Sequence, residues 1–414
     1  MPTSDAPGAR DPAAVSWRTP ALILIAGCLI SLVGFGVRSA FGIFLEPMTL
    51  AQGWSRETFA LAMAIQNLFW GLGLPFAGAL ADRFGAPRVL AVGAVLYALG
   101  VAGMALSESG LMLQLTGGVL TGLGVAFTAF SIAIAAMAKV VGPERRSLAL
   151  GMGTAAGSAG QVIFSPLGQA LIASLGWYDA LLIVGMTTLL IIPLAFILPG
   201  ITKDEAQDPL ADMTIGAALR EAGGHRGYIL LTAGFFVCGF HIAFITVHFP
   251  AYITGLGLDP AVGGYALALI GLFNIVGSFA SGAFGQRWSK RCGLSGIYFL
   301  RAIAITALLM APKTEATILI FAATMGALWL STVPLTTGLV AQIFGVRYMA
   351  TLFGIVFLSH QIGSFIGVWL GGYLYDTVGS YDAIWWAGVV LGLFAAIVHL
   401  PIDERPLQRQ RAPA

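Results

Sequence analysis

The amino-acid sequence predicts an all-α integral membrane protein of twelve transmembrane helices, built as two six-helix pseudo-repeats. Three observations carry this prediction. Hydrophobic residues make up 58% of the 414 and charged residues only 10%, which excludes an ordinary soluble or disordered chain. Twelve apolar runs are long enough to cross a hydrocarbon core of about 30 Å. The chain also matches itself when displaced by 203 residues.

The runs lie at 20–45, 57–80, 88–107, 111–138, 148–174, 180–199, 227–253, 261–286, 293–311, 316–342, 350–375 and 382–401, taken below as spans 1 to 12. They leave only short loops and no room for a soluble catalytic domain. The 54 glycines and 19 prolines would break helices in water but are tolerated where membrane helices pack closely. With the N-terminus cytoplasmic, seventeen Lys and Arg fall on the inner side and two, Arg56 and Lys313, on the outer. That asymmetry orients both termini to the cytoplasm and supports an even number of spans. The basic residues are thus topology signals, and the net charge of +2 gives no reason to invoke nucleic acid.

Residues 1–19 read as a disordered cytoplasmic tail, and 402–414 as a second tail. Span 1 exceeds the apolar region of a signal peptide and lacks a clear cleavage site, so it is expected to be retained. The N-terminal half is assigned to 20–199 and the C-terminal half to 227–401. Between them, 200–226 reads as a cytoplasmic linker ending in a short amphipathic helix, MTIGAALREAG. Cys28, Cys238 and Cys292 match no metal spacing and suggest no disulfide framework, and no cofactor motif is present.

The repeat is an ordered series. Gly36, Arg38, Ala40, Phe41 and Pro47 fall on Gly239, His241, Ala243, Phe244 and Pro250. Displaced by 204, Gly73, Gly78, Ala79 and Arg83 fall on Gly277, Gly282, Ala283 and Arg287; back at 203, Gly151, Gly160, Gly168 and Tyr178-Asp179-Ala180 fall on Gly354, Gly363, Gly371 and Tyr381-Asp382-Ala383. Six spans per repeat give both halves the same orientation, with a substrate site expected between them near the midplane.

After span 2 comes Gly78-Ala-Leu-Ala-Asp82-Arg83-Phe-Gly85-Ala-Pro-Arg88. Gly78 is expected to let two helices touch, Asp82 to end a helix among basic residues, and Gly85 to turn the chain. The segment resembles the loop 2–3 signature of the major facilitator superfamily, which implies the fold of that name and a conformational latch formed by Gly78, Asp82, Arg83, Gly85 and Arg88. The degenerate copy at 282–291 carries Gln286 where the acid would stand. More narrowly, Arg38-Ser39, Phe44-Leu45-Glu46 and Gly53-Trp54-Ser55-Arg56 resemble helix 1 and loop 1–2 of the monocarboxylate transporter family and its oxalate/formate-exchanger relatives. That resemblance implies transport of small organic anions, with Arg38 as the basic residue of helix 1. Span 8 departs from the pattern: it offers Asn274 where those families have an arginine.

Arg38 lies inside an apolar run, at a depth where an ionisable group marks a functional site. No Asp or Glu lies mid-span, and Glu46 is eight residues on, about 12 Å along a helix. A carboxylate is the best partner for the guanidinium fork, so an anionic substrate is expected to fill the vacancy. Snorkelling to the headgroups or capping of carbonyls is the structural alternative. His241, the repeat-mate of Arg38, is expected to face the same cavity. With His360 it is the candidate for coupling protons, since imidazole titrates near neutrality. Gln361, Gln161 and Asn274 complete the expected substrate-binding set, each being also capable of simply bonding neighbouring helices. Arg301 reads as structural. Gly157 to Gly168 partly resembles the helix 5 motif of drug/proton antiporters, although small residues also serve close packing.

The expected function is secondary active transport of a small mono- or dicarboxylate by alternating access, coupled to protons or to a counter-anion. The protein is expected to be a monomer in a bacterial plasma (inner) membrane. Efflux of a drug or metabolite by proton antiport is a second reading, which leaves Arg38 unexplained. A transporter-derived receptor is a third, disfavoured by the short tails. Nothing resembles an enzyme's nucleophile–base pair, metal cluster or nucleotide site.

Overall fold

The computed structural model describes residues 19–140, 146–200, 215–345 and 349–407. Most of the expected N-terminal tail, residues 201–214 of the linker and the last seven residues therefore lie outside it. Among the described residues, eleven segments are long and apolar enough to cross a membrane. The remaining expected span is the 30-residue helix Arg146–Leu175. The short linker helix forms at Ile215–Gly224 and buries Ala218 and Ala222.

Spans 2, 3, 7, 8, 9, 11 and 12 are single helices, Arg56–Phe84, Ala86–Ala105, Arg226–Gly255, Pro260–Arg287, Lys290–Met310, Met349–Val378 and Asp382–His399. Span 5 is likewise one helix, and spans 1, 4, 6 and 10 are interrupted. Span 1 runs Pro20–Ser39, passes through a 3-10 turn at Phe41–Phe44 and ends as Leu45–Gln52. Span 4 breaks after the helix Thr121–Phe127, and span 10 breaks between Glu315–Leu328 and Thr332–Phe344. A displacement of 203 brings Thr128 onto Ser331, so the two breaks occupy equivalent positions.

A break inside a membrane exposes main-chain groups that lipid cannot satisfy. In span 10 other helices satisfy them. Arg301, fully buried in span 9, donates from Nε (3.2 Å) and Nη2 (2.6 Å) to the Leu328 carbonyl, and from Nη2 to that of Trp329. Asn274 of span 8 accepts from the Leu330 N–H at 2.9 Å, and the Ser281 hydroxyl donates to the Ser331 carbonyl.

The halves pack by matching rules. Span 1 lies along span 5 as span 7 lies along span 11, and spans 2 and 4 pair as spans 8 and 10 do. Glycines make this approach possible. A Cβ on Gly36 would stand 2.9 Å from Gly160, and one on its repeat-mate Gly239 would run into the His360 carbonyl. Gly157, Gly160 and Gly168 all face span 1, so the glycines of the span 5 segment serve close packing.

Two long seams join the halves, span 2 against span 11 and span 5 against span 8, with the turn of span 1 touching span 7. In the first seam Gly372 faces Ala60, and eleven residues further along span 2 Gly71 faces Gln361. Seven residues beyond that, Gly78 and Gly354 have nothing within 4 Å of where a Cβ would sit, and neither does Gly282. The seam is closed at one end and in its middle, and open at the other.

Candidate functional site

Arg38 stands at the last turn of the first helix of span 1, where the 3-10 turn begins. Its long side chain crosses to span 2. Nη2 donates to Asn67 Oδ1 at 2.5 Å, and the guanidinium lies over the Trp70 ring, 4.4 Å from the centroid. Buried Nε has no partner. Among the described residues Arg38 forms no ion pair. A deep cation is thus held by a neutral amide and an aromatic face, with hydrogen-bonding capacity left over.

The contacts continue into the other half. The Gln361 amide N–H donates to the Asn67 main-chain carbonyl at 3.0 Å, which leaves Gln361 Oε1 to meet His360 Nδ1 at 3.0 Å. Because Oε1 only accepts, Nδ1 carries the imidazole proton. Ser364 Oγ donates to the same Oε1 at 3.4 Å. The His360 ring stacks on Phe357, which meets Trp70 edge-on. Arg38, Gln361 and His360, selected from sequence for different reasons, are therefore members of one chain of contacts through Asn67. Trp70 was missed: an aromatic in an apolar run gives no sign of what lies on its face.

The other expected members lie elsewhere. His241 lies apart from Arg38. Its Nε2 donates to the Gly388 carbonyl at 2.7 Å, and the ring packs on Gly388 and Gly392 of span 12. It does not join Arg38, because an imidazole is too short to leave the side of the helix on which it starts, whereas an arginine reaches past it. Asn274 bonds to Ser158 of span 5 at 2.9 Å and to the span 10 break, also apart from Arg38. Gln161 is buried against Gly271 in the span 5–8 seam, with neither amide atom partnered.

At the loop after span 2, Gly85 turns at φ +90°, a conformation that favours glycine. Arg83 lies 5.3 Å over the Phe84 ring, and Arg88 lines a groove of about 360 Å³ with Phe84, Pro87, Phe196 and Leu198. Gly78 brings no helices together in this state, contrary to expectation, because the seam is open at its level. The Asp82 side chain lies outside the described residues.

At the closed end of the seam a polar rim ties the halves. Asp376 of span 11 accepts the first two N–H groups of span 2, Arg56 at 3.1 Å and Glu57 at 2.6 Å, while Ser55 takes that of Thr58. Arg56 pairs with Glu46 at 3.5 Å, stacks 3.9 Å over Tyr375 and donates to the Tyr381 hydroxyl at 3.0 Å. Glu46 also accepts from Thr254, and Glu57 from Trp369 Nε1 at 3.0 Å. Burial pushes the Tyr381 phenol up to about 12 despite the neighbouring guanidinium. It keeps its proton and donates to His248 Nδ1 at 3.1 Å. The rim was not anticipated: Arg56 and Asp376 are 320 residues apart, and no local pattern links them.

A family profile described as Major Facilitator Superfamily matches residues 25–368. Among curated proteins, Monocarboxylate transporter 13 of Rattus norvegicus is 25% identical over 90% of this chain and 86% of its own length. Monocarboxylate transporter 11 of Mus musculus is 28% identical over 87% and 82%. The uncharacterized MFS-type transporter YcxA of Bacillus subtilis is 25% identical over 89% and 91%. Among solved structures, that of a D-xylose–proton symporter superposes with a TM-score of 0.76 at 15% identity, over 94% of this chain and 99% of the other. An inward-facing, occupied bacterial homolog of the human lysosomal transporter Spinster gives 0.72 at 17%, over 92% and 96%. At such identity the structural likeness speaks to fold alone.

Proposed function

The chain belongs to the major facilitator superfamily, whose members here are multi-pass membrane transporters rather than enzymes, and from that premise we propose that it carries a small mono- or dicarboxylate across the membrane. The observation that carries the proposal is Arg38: a deep guanidinium whose fixed partners are an amide oxygen and an indole face. Such a cation is costly without a counter-charge, and a carboxylate satisfies its fork with paired charge-assisted bonds. The low-identity similarity to monocarboxylate transporters supports the same substrate class.

Transport proceeds by rocking spans 1–6 against spans 7–12 about the Arg38 site. The bonded rim and the empty space at Gly78 and Gly354 support a state open on the side of Arg83 and Arg88. The Lys and Arg asymmetry supports reading that side as cytoplasmic, with both termini there. Proton coupling runs through His360, whose Nδ1 belongs to the contact chain of Arg38. His241 has no such link and is the weaker candidate. Exchange for a counter-anion is the alternative cycle.

The test is uptake of labelled lactate and oxalate into proteoliposomes. Arg38→Ala removes two charge-assisted bonds of about 1.5–3 kcal/mol each and is expected to weaken binding at least a hundredfold. Arg38→Lys keeps the charge without the fork and should recover part of it. Normal uptake by the alanine variant would sink the proposal.

A further inference from the structure

Arg38 is not waiting empty-handed. Asn67 is buried, and its amide is oriented by its own helix, since Nδ2 donates to the Met63 carbonyl at 2.8 Å. The carbonyl end is thereby aimed at Arg38 Nη2. An amide oxygen has the planar acceptor geometry of one carboxylate oxygen, without the charge. Gly71 lets Gln361 of span 11 approach one turn further along, because a Cβ there would stand 2.7 Å from Gln361 Cγ. Gln361 in turn is bonded to the main chain of Asn67 itself.

We propose that Asn67 is an internal competitor for the anion site: its amide oxygen holds the guanidinium in the empty carrier, and a substrate carboxylate binds by displacing it from Nη2. The inference rests on reading Arg38 as the anion site and goes further, because it assigns a second residue that sets affinity. It also fixes the sign of that residue's effect. A substrate ligand lost on truncation weakens binding, whereas a competitor lost on truncation strengthens it. Displacement reaches the other half as well, since Asn67 stands in the seam between Arg38 and Gln361. Occupancy of the guanidinium and contact between spans 2 and 11 thus share one residue. An amide suits this part better than a carboxylate would. A fixed carboxylate at the same place pairs permanently with the guanidinium and shuts the site.

The experiment uses the full chain in nanodiscs, titrated with acetate, lactate and oxalate and followed by microscale thermophoresis and thermal unfolding. Asn67→Ala is expected to bind the carboxylates about tenfold more tightly than the wild type. Asn67→Asp is expected to lose binding at least a hundredfold and, without added anion, to melt higher than the wild type, because the cation is already neutralised. A purely structural role weakens binding in both variants, so weakened or unchanged binding in Asn67→Ala overturns the inference. The aspartate melting comparison needs no substrate, and a lower melting temperature there overturns it independently. Should the alanine variant fail to fold, Asn67→Ser carries the same expectation of tighter binding. Absence of any carboxylate binding by the wild type, with the aspartate variant stabilised, overturns the substrate reading while leaving Asn67 as the partner of Arg38.

Discussion

Replacing Asp376 with alanine removes two bonds that exist only while the rim is closed. The carboxylate belongs to span 11 and the two N–H groups it accepts, at 3.1 and 2.6 Å, open span 2. Loss of such a cap costs about 1 kcal/mol, and loss of a negative charge at a helix N-terminus about 0.3–1 kcal/mol more. Asp376 is exposed, so solvent screens the charge and the freed N–H groups find water. About 1 kcal/mol is the reasonable total, and all of it falls on the balance between closed and open rim. That is about a fivefold rise in the ratio of open to closed molecules. Spin labels at Leu50 and Val378, exposed side chains at this end on opposite halves, would report the ratio by double electron–electron resonance. The background would lack Cys28, Cys238 and Cys292. A ratio changed by less than twofold refutes the assignment of the rim as a gate.

Arg301→Leu leaves the Leu328 and Trp329 carbonyls buried and unbonded, at about 1–3 kcal/mol each. Losing a buried charge offsets part of this, so a net loss of about 2–4 kcal/mol is expected, read as a melting temperature several degrees lower in detergent. The two histidines should part company. His360→Gln is expected to abolish acid-driven accumulation of labelled carboxylate while preserving exchange, whereas His241→Gln lowers thermal stability and leaves coupling intact. The reverse pattern, measured in proteoliposomes with and without a pH gradient, would restore His241 to the site.

The twelve spans were legible because crossing a membrane demands a length of apolar helix, and length and composition survive in a single sequence. The helix ends fall within a few residues of expectation, as at 226–255 against 227–253. Arg38 was legible for the opposite reason: a charge stands out where everything else is apolar. What escaped is what depends on partners distant in the chain. The break in span 10 shows no proline or glycine at Trp329-Leu330-Ser331; it persists because Arg301 and Asn274 bond to it from two other helices. The repeat aligned His241 with Arg38 in depth, but alignment says nothing of side-chain reach. Asn67 was visible only as one more polar residue, since its meaning comes from the guanidinium above it and the glutamine beside it.

The empty space at Gly78 and Gly354 has a thermodynamic consequence. The register that sets Gly71 on Gln361 carries Gly78 to the level of Gly354, seven residues on in each helix. In the rocking cycle proposed above, closing that end brings bare backbone against bare backbone. Glycine has no rotamers to lose, so the closure costs no side-chain entropy. Its gain is dispersion and weak Cα–H···O contact, neither of which carries charge. The rim at the opposite end is held by ions, a helix cap and a cation stacked on a ring. The two faces of the carrier are therefore governed by different variables. Ionic strength loosens the bonds of Glu46, Arg56 and Asp376 and barely registers on the contact between Gly78 and Gly354. A rise in external salt thus biases the empty protein toward opening on the rim side, making the resting orientation a function of the medium that rim meets.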